Sequence, residues 1–191
     1  MNRALAIAGW GYVALCGAIL AARPGAARSG EPPSPAAPFT GDGGAWFSQI
    51  KPFCNAVEVD VRQQYTPPPP GTDGAGYAAA CYALAGKIDR ARQVIDALPS
   101  GDRSQAAGIV FEVGHPVADA GDDASAGPIM RLVVEYQAQN YMALYHAGIS
   151  EYMLGHMDFA RTHLERFLEL YSPKDGWRSN AEEVLGRITA R

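Results

Sequence analysis

The densest group of side chains able to hold a metal ion or move a proton is "HPVADAGDDAS", which carries His115, Asp119, Asp122 and Asp123. It lacks the alternating acidic spacing and central glycine of a calcium loop. Asp122 or Asp123 fits better as the cap of a following helix, its carboxylate accepting that helix's free amides. A second group, "YMLGHMDFARTHLERFLELY", sets His156 and His163 seven residues apart, beside Asp158 and Glu165. Ligands on one helix normally stand three or four residues apart, so His156 is placed before the helix that carries His163, and both are read as bystanders. Ser150 and His146 are one helical turn apart, but a nucleophile and its base need a third group to orient them. That pair is read as surface or groove polarity. No nucleophile elbow, phosphate-binding glycine loop or paired-cysteine zinc motif occurs. The chain is therefore expected not to be an enzyme and to need no metal or cofactor.

The elements that carry these residues are helical in composition. Alanine, leucine, glycine and tyrosine are plentiful and long β-branched runs are scarce. Charged residues make up 19% and the net charge is −4, so no basic field for nucleic acid exists.

Residues 1–23 are read as a signal peptide or a membrane anchor. The run from Ala4 to Ala22 has no charge, and its length of about 19 residues lies between a signal core and a membrane span. Gly25-Ala26-Ala27 after Pro24 suits cleavage, whereas the long apolar core suits retention. Leu15 is too large for lipoprotein processing at Cys16. Arg3 on one side and Arg23 and Arg28 on the other leave the orientation open. Either reading exports the protein, anchored and facing the periplasm or released after cleavage. Residues 24–42, rich in proline and glycine, form a flexible linker, and residues 43–191 the folded domain. In an exported protein Cys54 and Cys81 are a disulfide pair or two small buried side chains. A bond between them would be worth about 3 kcal/mol in the chain-entropy model.

The folded part repeats itself. Aligned on Gly86, Gly121 and Gly155, the chain brings Ala79, Gly114 and Gly148 into one column and Ala91, Ala126 and Ala160 into another. Ile95, Met130 and Leu164 form a third, and Leu98, Val133 and Phe167 a fourth. The spacing is 35 and then 34 residues in every column. Glycine suits the sharp end of a first helix, because it tolerates positive φ. The alanines mark where a second helix crosses the first too closely for a larger side chain.

This order of small residue, aromatic (Tyr82, Tyr152), turn glycine, alanine and large apolar residue resembles the tetratricopeptide repeat family, over roughly residues 72–172. The resemblance implies an all-α, αα-hairpin solenoid of about three repeats (72–106, 107–140 and 141–174). The middle copy is the weakest, since Pro116 is expected to kink or break its first helix. Before the repeats, "WFSQIKPFCNAVEVDVRQQY" is read as helical, with Phe53, Val57, Val61 and Tyr65 as an apolar stripe on one helix face. Asp42 or Thr40 is its cap. After them, residues 173–190 are read as a capping helix started by Ser172 and Pro173, with Trp177, Ala181, Val184, Leu185 and Ile188 on its apolar face.

The resemblance places Phe111, His115, Met142, Tyr145, Ile149 and Tyr152 on a concave groove. Family members that grip a terminal carboxylate carry lysine, arginine and asparagine there; this chain does not. The implied function is a protein–protein interaction scaffold of the cell envelope, binding an apolar or aromatic segment of a protein or peptide partner. The alternatives are a groove filled by the chain's own linker or terminal helix, a self-assembling envelope subunit, and a hydrolase or metal-dependent enzyme on a helical scaffold.

Overall fold

The computed structural model describes residues 39–190, and the first helix in them starts at Asp42, whose carboxylate accepts the Ala45 amide at 2.7 Å. Helix α1 (Gly43–Ile50) buries Trp46, Phe47 and Ile50. It does not continue as expected. Pro52 has no amide to give the Ser48 carbonyl, and the chain tightens into a 3-10 turn at Lys51–Phe53. Asn55 then organises a turn, its Oδ1 accepting the amides of Val57 and Glu58 at 3.1 Å each. The chain restarts as α2 (Val59–Tyr65). The expected single-helix stripe is thereby broken, and Val57, Val61 and Tyr65 are 84%, 55% and 56% exposed.

The remaining described residues are also helical: α3 (Thr72–Leu84), α4 (Ile88–Asp96), α5 (Ser100–Asp119), α6 (Asp123–Tyr136), α7 (Tyr141–Met153), α8 (Met157–Leu170) and α9 (Gly176–Thr189). No strand occurs among them, and none of these helices is long and apolar enough to cross a membrane. The expected signal peptide or anchor, and nearly all of the linker, lie outside the described residues.

α3, α5 and α7 end in the same way. Gly86, Gly121 and Gly155 have φ of 73°, 76° and 86°, a conformation that costs other residues a Cβ clash. The next amide, of Lys87, Asp122 or His156, donates to the carbonyl of Tyr82, Val117 or Glu151 at 2.9, 3.3 and 2.8 Å. The glycine's own amide donates to Ala83, Ala118 or Tyr152 at 3.0, 2.9 and 3.1 Å. These are Schellman motifs, which satisfy the last carbonyls of a helix and reverse the chain. α4, α6 and α8 then pack back on α3, α5 and α7 through the fully buried Ala91, Ala126 and Ala160. The small residues Gly114 and Gly148 receive Ile129 and Leu164, whose side chains stand 2.6 Å from where a Cβ would be.

Pro116 does not break α5, which runs 20 residues through it. The proline lies in the last turn, so one lost hydrogen bond near the end leaves the many before it intact. α5 also begins well before residue 107, the boundary expected for the second repeat. At the far end α9 starts at Gly176 rather than Pro173. Asp175, not Ser172, is its cap and accepts the amides of Trp177 and Arg178 at 3.1 and 3.2 Å. Asp122 caps α6 by accepting the Ser125 amide.

Three apolar clusters result. One joins α1, α2 and α3 around Trp46, where the Cys54 and Cys81 sulfurs are bonded at 2.01 Å. The second fills the space between α3, α4, α5, α6 and α7, and the third lies between α7, α8 and α9.

Candidate functional site

Because α5 stays helical through Pro116, His115 and Asp119 stand one turn apart on a single face. α7 packs beside α5 and sets His146 against them. The two imidazole Nε2 atoms are 3.0 Å apart. Asp119 Oδ1 lies 3.6 Å from Nε2 of His115 and 3.7 Å from Nε2 of His146. His146 is 5% exposed, whereas the side chain of Asp119 is 50% exposed, so the cluster has a closed and an open side.

Aromatic side chains hold the two rings in place. Phe111 stacks on His115 with centroids 4.8 Å apart. Tyr145 and Trp177 meet His146 edge-on at 5.2 and 5.7 Å. Trp177 comes from α9, which also supplies Asn180, whose Nδ2 donates to the Tyr145 hydroxyl at 2.5 Å. Burial raises the Tyr145 phenol pKa above its ordinary value, against the lowering effect of Asn180. Burial, with His115 alongside, lowers the His146 imidazole to about 4, and the Asp119 charge opposes this only in part. At neutral pH His146 is therefore uncharged and keeps one ring nitrogen as an acceptor. Two facing Nε2 atoms at this distance share either one proton or one cation.

No nucleophile belongs to the cluster. The Ser150 hydroxyl donates to Asp123 Oδ1 at 3.2 Å instead of to His146. Both Ser150 and His146 are buried, so of the two expected places, surface or groove, the surface is excluded. His156 and His163 do not converge. His156 Nδ1 lies 2.5 Å from Glu151 Oε2, so this histidine has a structural partner that the repeat columns do not reveal. His163 Nδ1 is buried with no hydrogen-bond partner.

The chain was compared with protein-family models, with curated proteins and with solved structures, and none matches it.

The six residues expected to line one groove are divided. Phe111 and Met142 line an open cleft of about 520 Å³, together with Ser104, Gln137, Asn140 and Tyr141. No charged side chain lines this cleft. His115 belongs to the histidine cluster. Tyr145 is buried under α9, with Phe167 and Trp177 edge-on to it at 5.1 and 4.9 Å. Ile149 and Tyr152 pack against the cluster between α7, α8 and α9. A continuous groove through all six is not formed, because α9 covers the end that Tyr145 occupies.

The triad was hard to find from sequence. Spacing along the chain pairs His146 with Ser150 on its own helix, whereas His115 and Asp119 come from another helix. The usable signal was the H-x-x-x-D spacing of His115 and Asp119, which counts only if the helix survives Pro116.

Proposed function

We propose that the chain is a non-enzymatic protein-binding scaffold, an αα-hairpin solenoid of tetratricopeptide-like repeats that acts outside the cytoplasm. The solenoid reading is supported by three Schellman turns at one spacing, each followed by a fully buried alanine. The Cys54–Cys81 bond supports an oxidising compartment, in keeping with the exported N-terminal segment expected from sequence.

The observation that carries the binding reading is the cleft beside Phe111 and Met142. Phe111, Tyr141 and Met142 give it apolar and aromatic surface, its polar groups are uncharged amides and two hydroxyls, and it is open along one side. Gln137 and Asn140 are held by each other, the Ser104 carbonyl and the Ala143 amide, so such a surface suits an extended, uncharged peptide segment with an aromatic or aliphatic anchor, with Gln139 as the amide left to meet its backbone. It does not suit a terminal carboxylate, which calls for cations.

The test is selection of a random peptide library on the purified protein, followed by fluorescence-polarisation titration of the selected peptides. The expected result is enrichment of uncharged peptides with an aromatic anchor, whose binding falls in Phe111→Ala and Met142→Ala. Peptides that bind both variants as well as the parent, or a selection that enriches acidic C-termini, would refute this site.

A second reading, self-assembly, is favoured by the exposed Val57, Val61 and Tyr65 on and before α2. Its measurement is sedimentation across a concentration series, with Val61→Glu expected to shift the protein toward monomer. A parent protein that stays monomeric throughout removes it.

A further inference from the structure

We propose that His115, Asp119 and His146 bind one divalent transition-metal ion of the zinc type, through two imidazole nitrogens and one carboxylate oxygen. The site does not depend on the peptide-binding reading, since the ion needs no partner.

The three donor atoms are separated by 3.0, 3.6 and 3.7 Å. Donors at bonding distance from a tetrahedral zinc ion stand about 3.4 Å from one another. One point lies about 2 Å from all three atoms, the normal length of zinc bonds to histidine nitrogen and carboxylate oxygen.

Without a cation, the same arrangement is poorly used. One proton between the two Nε2 atoms would join the rings, but Asp119 Oδ1 would remain beyond hydrogen-bond distance of both. A dication engages all three groups at once and offsets the carboxylate charge beside a buried ring. Imidazole and carboxylate donors together favour zinc, copper, nickel or cobalt over calcium and magnesium, which prefer oxygen alone.

The surroundings add rigidity. Phe111 fixes the plane of His115, and Tyr145 and Trp177 fix that of His146, so little ordering remains to be done on binding. Three protein ligands leave a fourth position for water, on the side where Asp119 meets solvent.

The experiment uses the full-length chain, freed of metal by a chelator and titrated with cobalt(II), because zinc has no d–d spectrum. One cobalt ion per chain is expected, with the intense visible bands of a four-coordinate site, displaced by one equivalent of zinc. His115→Ala and Asp119→Ala should each weaken zinc binding at least about tenfold, while His156→Ala should leave it unchanged. The half-exposed Asp119 can be truncated without disturbing the core, so Asp119→Ala decides the matter alone if His115→Ala does not fold. A parent protein that takes up no stoichiometric cobalt or zinc overturns the proposal, as does undiminished binding by Asp119→Ala.

Discussion

Glu151 is fully buried on α7 and places Oε2 2.5 Å from His156 Nδ1, the first residue beyond the Gly155 turn. The same two residues are joined through the backbone, where the His156 amide donates to the Glu151 carbonyl at 2.8 Å. Arg131 of α6 reaches the other carboxylate oxygen. A buried carboxylate is tolerated only when it is paired and hydrogen-bonded, so this trio ties the second hairpin to the third. Removing the arginine leaves the charge buried without its main partner. Arg131→Ala is expected to lower stability by about 3 kcal/mol, measured by urea unfolding. Arg131→Ala combined with Glu151→Gln should lose less than Arg131→Ala alone, since the uncompensated charge goes with it.

The Cys54–Cys81 bond ties the irregular chain after α1 to the buried face of α3, across a sequence separation of 27. Closing a loop of that length removes unfolded-state entropy worth about 3 kcal/mol. Reductant should therefore lower the urea midpoint of the parent protein. A Cys54→Ala, Cys81→Ala variant should begin near the reduced midpoint and show no response to reductant.

Which features could be read from sequence follows from how local their causes are. Gly86, Gly121 and Gly155 were legible because positive φ is a requirement of the single residue. Ala91, Ala126 and Ala160 were legible because the same close crossing recurs at one spacing. Sequence alone leaves the start of α9 open, because Ser172 and Asp175 are both good caps, and in the fold Asp175 takes that place. The long first helix was misjudged because apolar period alone hid the effects of Pro52 and the Asn55 turn. His115, Asp119 and His146 meet only after α5 and α7 have packed, and along the chain only the four-residue spacing of His115 and Asp119 hints at it.

Two glycines separate packing from propensity. A Cβ on Gly148 would stand 2.6 and 2.8 Å from Cγ and Cδ2 of Leu164, inside the α7–α8 crossing. Overpacking there costs about 1–3 kcal/mol, more than the roughly 1 kcal/mol that alanine gains over glycine in a helix. Gly148→Ala should destabilise on balance. Gly186, within α9, has nothing within 4 Å of its would-be Cβ. Gly186→Ala should therefore stabilise by about 0.5–1 kcal/mol. Thermal melts of the two variants should move in opposite directions.

His163 makes stability depend on pH. Burial, with the Arg131 charge nearby, holds its imidazole pKa below the ordinary 6.5, against an upward pull from the Glu151 charge. The folded protein keeps this ring neutral, while the unfolded chain takes up a proton once the pH falls below about 6.5. Proton uptake by the unfolded state favours unfolding, so the contribution is complete above that pH and is lost as pH falls toward the folded value. His163→Leu removes the titrating group and fills the site with an apolar side chain. The difference in urea midpoint between pH 7.5 and pH 5 should be smaller in the variant than in the parent, and an equal difference would show that another group carries the acid sensitivity.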